Sequence, residues 1–294
     1  MRVRHTIRAA KRLLAWTPMT EGTAAKPRPR HEVLMRVVQP LADRGVARLA
    51  RTSVDPQHVV LTHTVVGFTA AALLARDAAV AWLVAALLLQ GKTLLDNMDG
   101  GLARATGRVT QMGRYLDTVM DLLVNVALFA ALATHGPPSA AWAAFVVLTL
   151  VLSADHNAER RYREVRDDDA IRPGAAPPGA PPWLLATVRG LYRVVLAPQD
   201  RLYRGVDAAL FRYATNTAWS AAPAGLRRRW ADAFSTGALV NLGLSTQYVL
   251  LGVCAALGAP FVYVLLVLAQ APYVALVQAA RVWRIRARLE AGTP

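Results

Sequence analysis

Four aspartates in two neighbouring stretches carry the residue types that could do chemistry. Asp96 and Asp99 open the run Asp96-Asn97-Met98-Asp99-Gly100-Gly101-Leu102-Ala103-Arg104, and Gly113, Asp117 and Asp121 follow. The flanking residues are apolar, so these carboxylates lie at the ends of hydrophobic segments. An acid at the centre of a helix in lipid costs roughly 2.5–3.5 kcal/mol, less near the interface. Four of them could cost up to about 10 kcal/mol unless compensated. No lysine or arginine cluster in the neighbouring apolar runs is large enough to neutralise all four. Divalent cations would do so, and a set of oxygen ligands favours a hard ion such as magnesium or manganese.

Helical geometry narrows the chemistry. At about 100° per residue, Asp96, Asp99, Gly100, Ala103 and Arg104 share an arc of roughly 140°, and Gly113, Asp117 and Asp121 share one of about 80°. A short polar turn joins the two stretches, so two antiparallel helices can bring these faces together with two carboxylates each. Gly100, Ala103 and Gly113 leave room for a ligand against the backbone. Arg104 supplies a planar fork suited to a phosphate. Such a face suits a diphosphate: metals bridge its oxygens, small residues admit it and arginine clamps it. Close packing also uses small residues in membrane helices. It suffices for Gly101 or Ala105 taken singly, but not for four acids, an arginine and glycines at these spacings.

The elements that must hold this face are long and apolar. The chain has 294 residues, is 54% hydrophobic and carries a net charge of +15. Its apolar residues gather in runs at Val59–Ala75, Ala78–Leu95, Leu122–Ala133, Ala140–Ala154, Thr236–Leu257 and Phe261–Ala280. Several match the ~17–25 residues needed to cross a hydrocarbon core, the third only if Asp117 and Asp121 are counted in. The expected fold is all-α: a polytopic membrane protein with six transmembrane helices plus amphipathic interfacial helices. Lys and Arg avoid the turns near Arg76-Asp77, Thr134–Ser139 and Gly258–Pro260, Arg76 excepted. By the positive-inside rule both termini, the active site and residues 155–235 then lie on the cytoplasmic side of the cytoplasmic membrane. No cleavable signal peptide is expected. The single cysteine, Cys254, reads as a small buried side chain and excludes an internal disulfide or a thiolate zinc site.

Two units are expected: a basic amphipathic segment over residues 1–57, and a six-span unit over 58–294 with a cytoplasmic insertion at 155–235. In the first, Ile7–Trp16 and Val33–Leu49 place apolar residues at helical spacing between arginines, as for helices lying on anionic membrane lipid. Nucleic acid is not the expected partner, because little aromatic interleaving offers bases a stacking platform. In the insertion, Ala175–Pro182 reads as a flexible linker between two membrane-hugging helices, Trp183–Leu196 and Arg201–Tyr213. The oligomeric state is open, a homodimer included.

The spacing Asp-x2-Asp-Gly-x2-Ala-Arg-x8-Gly-x3-Asp-x3-Asp resembles the signature of the CDP-alcohol phosphotransferases, and residues 96–121 fit all its fixed positions. The resemblance implies that Asp96, Asp99 and Asp117 bind the catalytic metals, two divalent ions of magnesium or manganese. Asp121 would help the second metal and act as general base. Gly100, Ala103, Arg104, Gly113 and Asp117 would contact the CDP moiety. It further implies a donor such as CDP-diacylglycerol or another CDP-alcohol, a small polar or lipid alcohol as acceptor, CMP as leaving group, and a role in phospholipid biosynthesis. The run Ala103-Arg104-Ala105-Thr106-Gly107 resembles the serine-using branch. His58, Thr62, Asp155 and His156 lie near the same ends of spans one and four, where an acceptor could sit, and each also reads as an interfacial polar residue. Three alternatives remain: a membrane prenyltransferase using a metal-bound diphosphate, a cation transporter and a non-catalytic lipid-binding protein.

Overall fold

The computed structural model describes residues 34–166 and 182–291, and all regular structure in them is helical. The expected Ile7–Trp16 helix and residues 175–181 of the linker lie outside that range. Six segments are long and apolar enough to cross a membrane. They are α2 (Pro56–Leu74), α3 (Ala79–Ala105), α4 (Gln111–Leu132), α5 (Pro138–Glu164), Ala224–Ala256, and α11 (Val262–Glu290). Amphipathic α1 (Met35–Leu49) precedes them. Between α5 and the fifth span come α6 (Pro182–Leu191), a π-helical turn (Tyr192–Leu196) and α7 (Ala197–Thr215). The protein is an integral membrane protein with interfacial helices.

The main core fills the half of the bundle remote from the aspartates. Leu74, Leu89, Leu128, Phe129, Leu148, Tyr248 and Val264 are among its buried members, drawn from all six spans. The turns at 75–78, 133–137 and 257–261 meet at that end. Their residues line a cavity of about 530 Å³ that includes Trp82, His135 and Phe261. Outward faces of the spans expose Leu61, Val65, Phe68, Leu87 and Leu276, as a lipid-facing surface requires.

The fifth apolar run is not the single helix expected over Thr236–Leu257. After α8 (Ala224–Trp230) it is broken into α9 (Ala233–Val240) and α10 (Leu244–Ala256). Gly243 is extended at the start of α10, and the Asn241 amide turns back to the Gly237 carbonyl at 2.7 Å. Non-helical backbone at membrane depth must find its hydrogen bonds inside the protein. Gln247, fully buried, donates to the Leu242 carbonyl at 2.8 Å and pairs with Gln270 and Tyr263. α5 also runs further than its apolar pattern, to Glu164, so the connection to the fifth span is shorter than 155–235.

Candidate metal centre

The signature spans the end of α3 and the start of α4, and capping chemistry sets the turn between them. Gly107 takes φ +69°. The Arg108 amide reaches the Ala103 carbonyl at 2.8 Å and the Gly107 amide reaches Arg104 at 3.3 Å, a Schellman closure that needs glycine at its left-handed position. Thr110 then caps α4, its hydroxyl accepting from the Gly113 amide at 3.0 Å. Asp55 caps α2 ahead of Pro56, and Arg108 lies 3.9 Å from its carboxylate, tying this turn to the start of α2.

The carboxylate faces of the two signature helices meet within a three-helix arrangement. α2 packs closely along both α3 and α4, and it brings His63 into the site. Ligand atoms of His63, Asp96, Asp99 and Asp117 all lie within 4.8 Å of one another. His63 Nε2 is 3.2 Å from Asp99 Oδ2, 3.6 Å from Asp117 Oδ1 and 3.9 Å from Asp96 Oδ1. Opposite donors of a six-coordinate ion with bonds near 2.1 Å are about 4.2 Å apart, so the spread suits one divalent cation. Asp117 Oδ1 is buried without a hydrogen-bond partner, a lone pair directed where a cation would satisfy it. The residues present fit a metal.

Asp121 stands apart from that group. Its Oδ1 is 2.6 Å from the ammonium of Lys92, which is also 3.9 Å from Asp96 Oδ1. Arg104 is half-buried, its guanidinium near Gly100, where an added Cβ would come within 3.3 Å of it. Gly100, Ala103 and Gly113 are all partly exposed beside the cluster. Gly101 faces the other way: its Cβ would meet Val46 of α1 at 2.8 Å, so packing is its role. His58 and Thr62 are exposed, and Thr62 donates to the His58 carbonyl at 2.7 Å. Asp155 lies against Gly243 at the break in the fifth span.

His63 and Lys92 were missed from sequence, both hidden in runs read as apolar. Their signal was present: an ionisable residue inside a membrane span is a site candidate by default.

Residues 56–176 match the family described as CDP-alcohol phosphatidyltransferase. Over that stretch the chain is similar to a CDP-alcohol phosphatidyltransferase domain. The match starts at the first residue of α2 and covers α2 to α5, the helices that build the aspartate cluster. A bifunctional IPC transferase and DIPP synthase of Aquifex aeolicus is 47% identical over 53 residues, 18% of this chain and 12% of that protein. An archaetidylinositol phosphate synthase of Pyrococcus horikoshii is 31% identical over 102 residues, 34% of this chain and 52% of that protein. A bifunctional IPC transferase and DIPP synthase of Archaeoglobus fulgidus is 33% identical over 69 residues, 24% and 14% of the two chains. The chain thus spans about half the length of one of these curated relatives and far less of the other two.

Proposed function

We propose that this protein transfers the phosphate-bearing group of a CDP-alcohol to the hydroxyl of a second alcohol and releases CMP, in the synthesis of a phospholipid or its precursor. The observation that carries this is the convergence of His63, Asp96, Asp99 and Asp117 on one cation-sized space within a domain of that family. Residues 58–294 form the catalytic unit, with its site on the cytoplasmic side, where the Lys and Arg of the chain gather.

Asp96, Asp99 and Asp117, joined by His63, would hold a magnesium or manganese ion. Once bound, the ion neutralises diphosphate oxygens and makes phosphorus more electrophilic. Arg104, with Gly100, Ala103 and Gly113 beside it, holds the CDP moiety. The acceptor oxygen attacks the phosphorus distal to cytidine. The bond from that phosphorus to the bridging oxygen breaks, CMP leaves with the electron pair, and Asp121 takes the hydroxyl proton on Oδ2. A second ion, expected from the resemblance, would call on Asp121, whose Oδ1 lies against the Lys92 ammonium.

The acceptor is chosen by assay. The Ala103–Gly107 run points to serine, whereas the Pyrococcus horikoshii relative is named for an inositol phosphate lipid. Purified protein should release CMP from CDP-diacylglycerol or another CDP-alcohol in the presence of magnesium or manganese with one member of a panel holding serine, inositol phosphate and glycerol phosphate. Asp96→Ala, Asp99→Ala and Asp117→Ala should each abolish this release, and double variants should be little worse, since the residues act as a unit. Metal-dependent pyrophosphate release from a prenyl diphosphate, with no CMP formed from any CDP-alcohol, would replace the proposal with the prenyltransferase alternative.

A further inference from the structure

Arg76 and Asp77 are the only Asp, Glu, Lys or Arg residues in the turns at 75–78, 133–137 and 257–261, where the chain otherwise avoids charge. Both are exposed, and Asp77 enters the lining of the cavity of about 530 Å³ at that end of the bundle. That lining holds no other carboxylate and no lysine or arginine. Three aromatic rings wall it: Trp82 in the first turn of α3, His135 between α4 and α5, and Phe261 ahead of α11. Packing fixes all three. The His135 Nε2–H donates to the Leu74 carbonyl at 2.7 Å, and the His135 ring meets Trp82 edge-to-face with centroids 5.4 Å apart. Phe261 lies so close to Gly136 that an added Cβ there would collide with its ring, and Trp82 and Phe261 both back onto the main core. Val262 and Leu265 complete one side of the cavity and are themselves exposed on the outside of α11.

From this geometry we infer that the cavity binds the ammonium headgroup of a phospholipid in the leaflet opposite the aspartates. Aromatic faces carry partial negative charge and attract cations, most strongly where water is scarce. With Asp77 as the one charge in the lining, the walls complement a single ammonium group. Arg76, the next residue and outside the lining, is placed to meet the phosphate of the same headgroup, so the turn offers both signs that a zwitterionic lipid carries. The volume lies within the ~300–1,000 Å³ of small-molecule sites and exceeds what an ammonium group alone fills. Val262 and Leu265 continue from the cavity onto the lipid-facing surface of α11, an apolar path that acyl chains would follow and a water-soluble amine would not use. Depth agrees, because tryptophan at a span end sits at the level of the headgroups. A lipid whose head carries only negative charge would set its phosphate against Asp77 with no cation between them.

The site is independent of the proposed transfer reaction, since it lies at the end of the bundle remote from the aspartates. Purified protein in detergent is titrated with dihexanoylphosphatidylethanolamine, with dihexanoylphosphatidylglycerol and with free ethanolamine, and bound ligand is counted by native mass spectrometry. Asp77 is exposed in a turn, so Asp77→Asn and Asp77→Lys leave the bundle intact. Asp77→Asn should weaken binding of the ethanolamine lipid by about two- to fivefold, the range of a partly exposed ion pair, and leave binding of the glycerol lipid unchanged. Asp77→Lys should weaken the ethanolamine lipid further and bind the glycerol lipid more tightly than the parent does. Equal binding of the ethanolamine lipid by the parent and both variants overturns the inference, as does an equal loss of both lipids in Asp77→Asn. Free ethanolamine binding as tightly as the lipid overturns it too, because the cavity would then take a soluble ammonium compound rather than a headgroup.

Discussion

Asp121 shows how a role passes from motif to geometry. It lies one helical turn beyond Asp117 on α4, yet its Oδ1 is committed to Lys92 while Asp117 joins His63 and the other two aspartates. Asparagine at this position keeps the size and removes the proton-accepting oxygen. Asp121→Asn should retain metal-dependent binding of the CDP-alcohol while single-turnover CMP release falls by about 10²–10⁴-fold. Joint collapse of binding and rate would make Asp121 a metal ligand instead, and an unchanged rate would place the base elsewhere. Arg104 poses a different question, because a lysine there keeps the charge and loses the planar fork. Donor affinity of Arg104→Lys should fall with no change in melting temperature. Equal affinity, measured by titration with a CDP-alcohol, would mean that charge alone is used.

The elements explain why this site is stable at membrane depth. α1 closes over the C-terminal part of α3 because Gly101 admits Val46 and Gly45 admits Met98, and Ala42, Val46 and Met98 form a small buried cluster there. The break in the fifth span is held in the same way by a close approach. At Gly243 an added Cβ would stand 2.9 Å from Asp155 Oδ2 and 3.2 Å from the Val240 carbonyl. Gly243→Val should therefore destabilise the protein by about 1–3 kcal/mol, read as a lower melting temperature in detergent. Gly91→Ala, on α3, is the matched control. Nothing lies within 4 Å of its added Cβ, so its melting temperature should be unchanged or slightly higher. Equal melting of the Gly243 variant and the parent would show that the break adjusts freely.

For the whole molecule, the three short turns meet at one end and the aspartates lie at the other, so one orientation fixes both. The proposed orientation, argued from the charge distribution, puts those turns outside and the site on the cytoplasmic side. The glycines of the turns are poor labelling positions, since Gly136 packs on Phe261 and Gly258 takes φ +74°. Exposed Ser139 and Leu257 serve instead. Ser139→Cys and Leu257→Cys should react with an impermeant maleimide from outside intact cells, and Thr52→Cys only after the membrane is opened. The native Cys254 is buried and gives a low background. Labelling of Ser139→Cys or Leu257→Cys from the cytoplasmic side alone would overturn the orientation.

Much of this protein was legible in its sequence because membrane insertion leaves few choices. Backbone groups in lipid must be paired within the segment, so long apolar runs become helices and their number follows. The spacing of Asp96, Asp99, Asp117 and Asp121 follows a helical period, so the motif was visible without neighbours. What the period cannot show is which third element comes between two helices. α2 packs along both α3 and α4 and contributes His63, which lies between Thr62 and Thr64 in an otherwise apolar run. The pairing of Lys92 with Asp121 joins residues on different helices across a space that only packing defines. The break at 241–243 likewise depends on distant partners, since Gln247, Gln270 and Tyr263 satisfy polar groups within the buried bundle. Local spacing determined the spans and the four carboxylates. Tertiary packing decided which cation each carboxylate meets, because charges buried in a low-dielectric interior are held by whatever partners the fold brings within hydrogen-bonding distance.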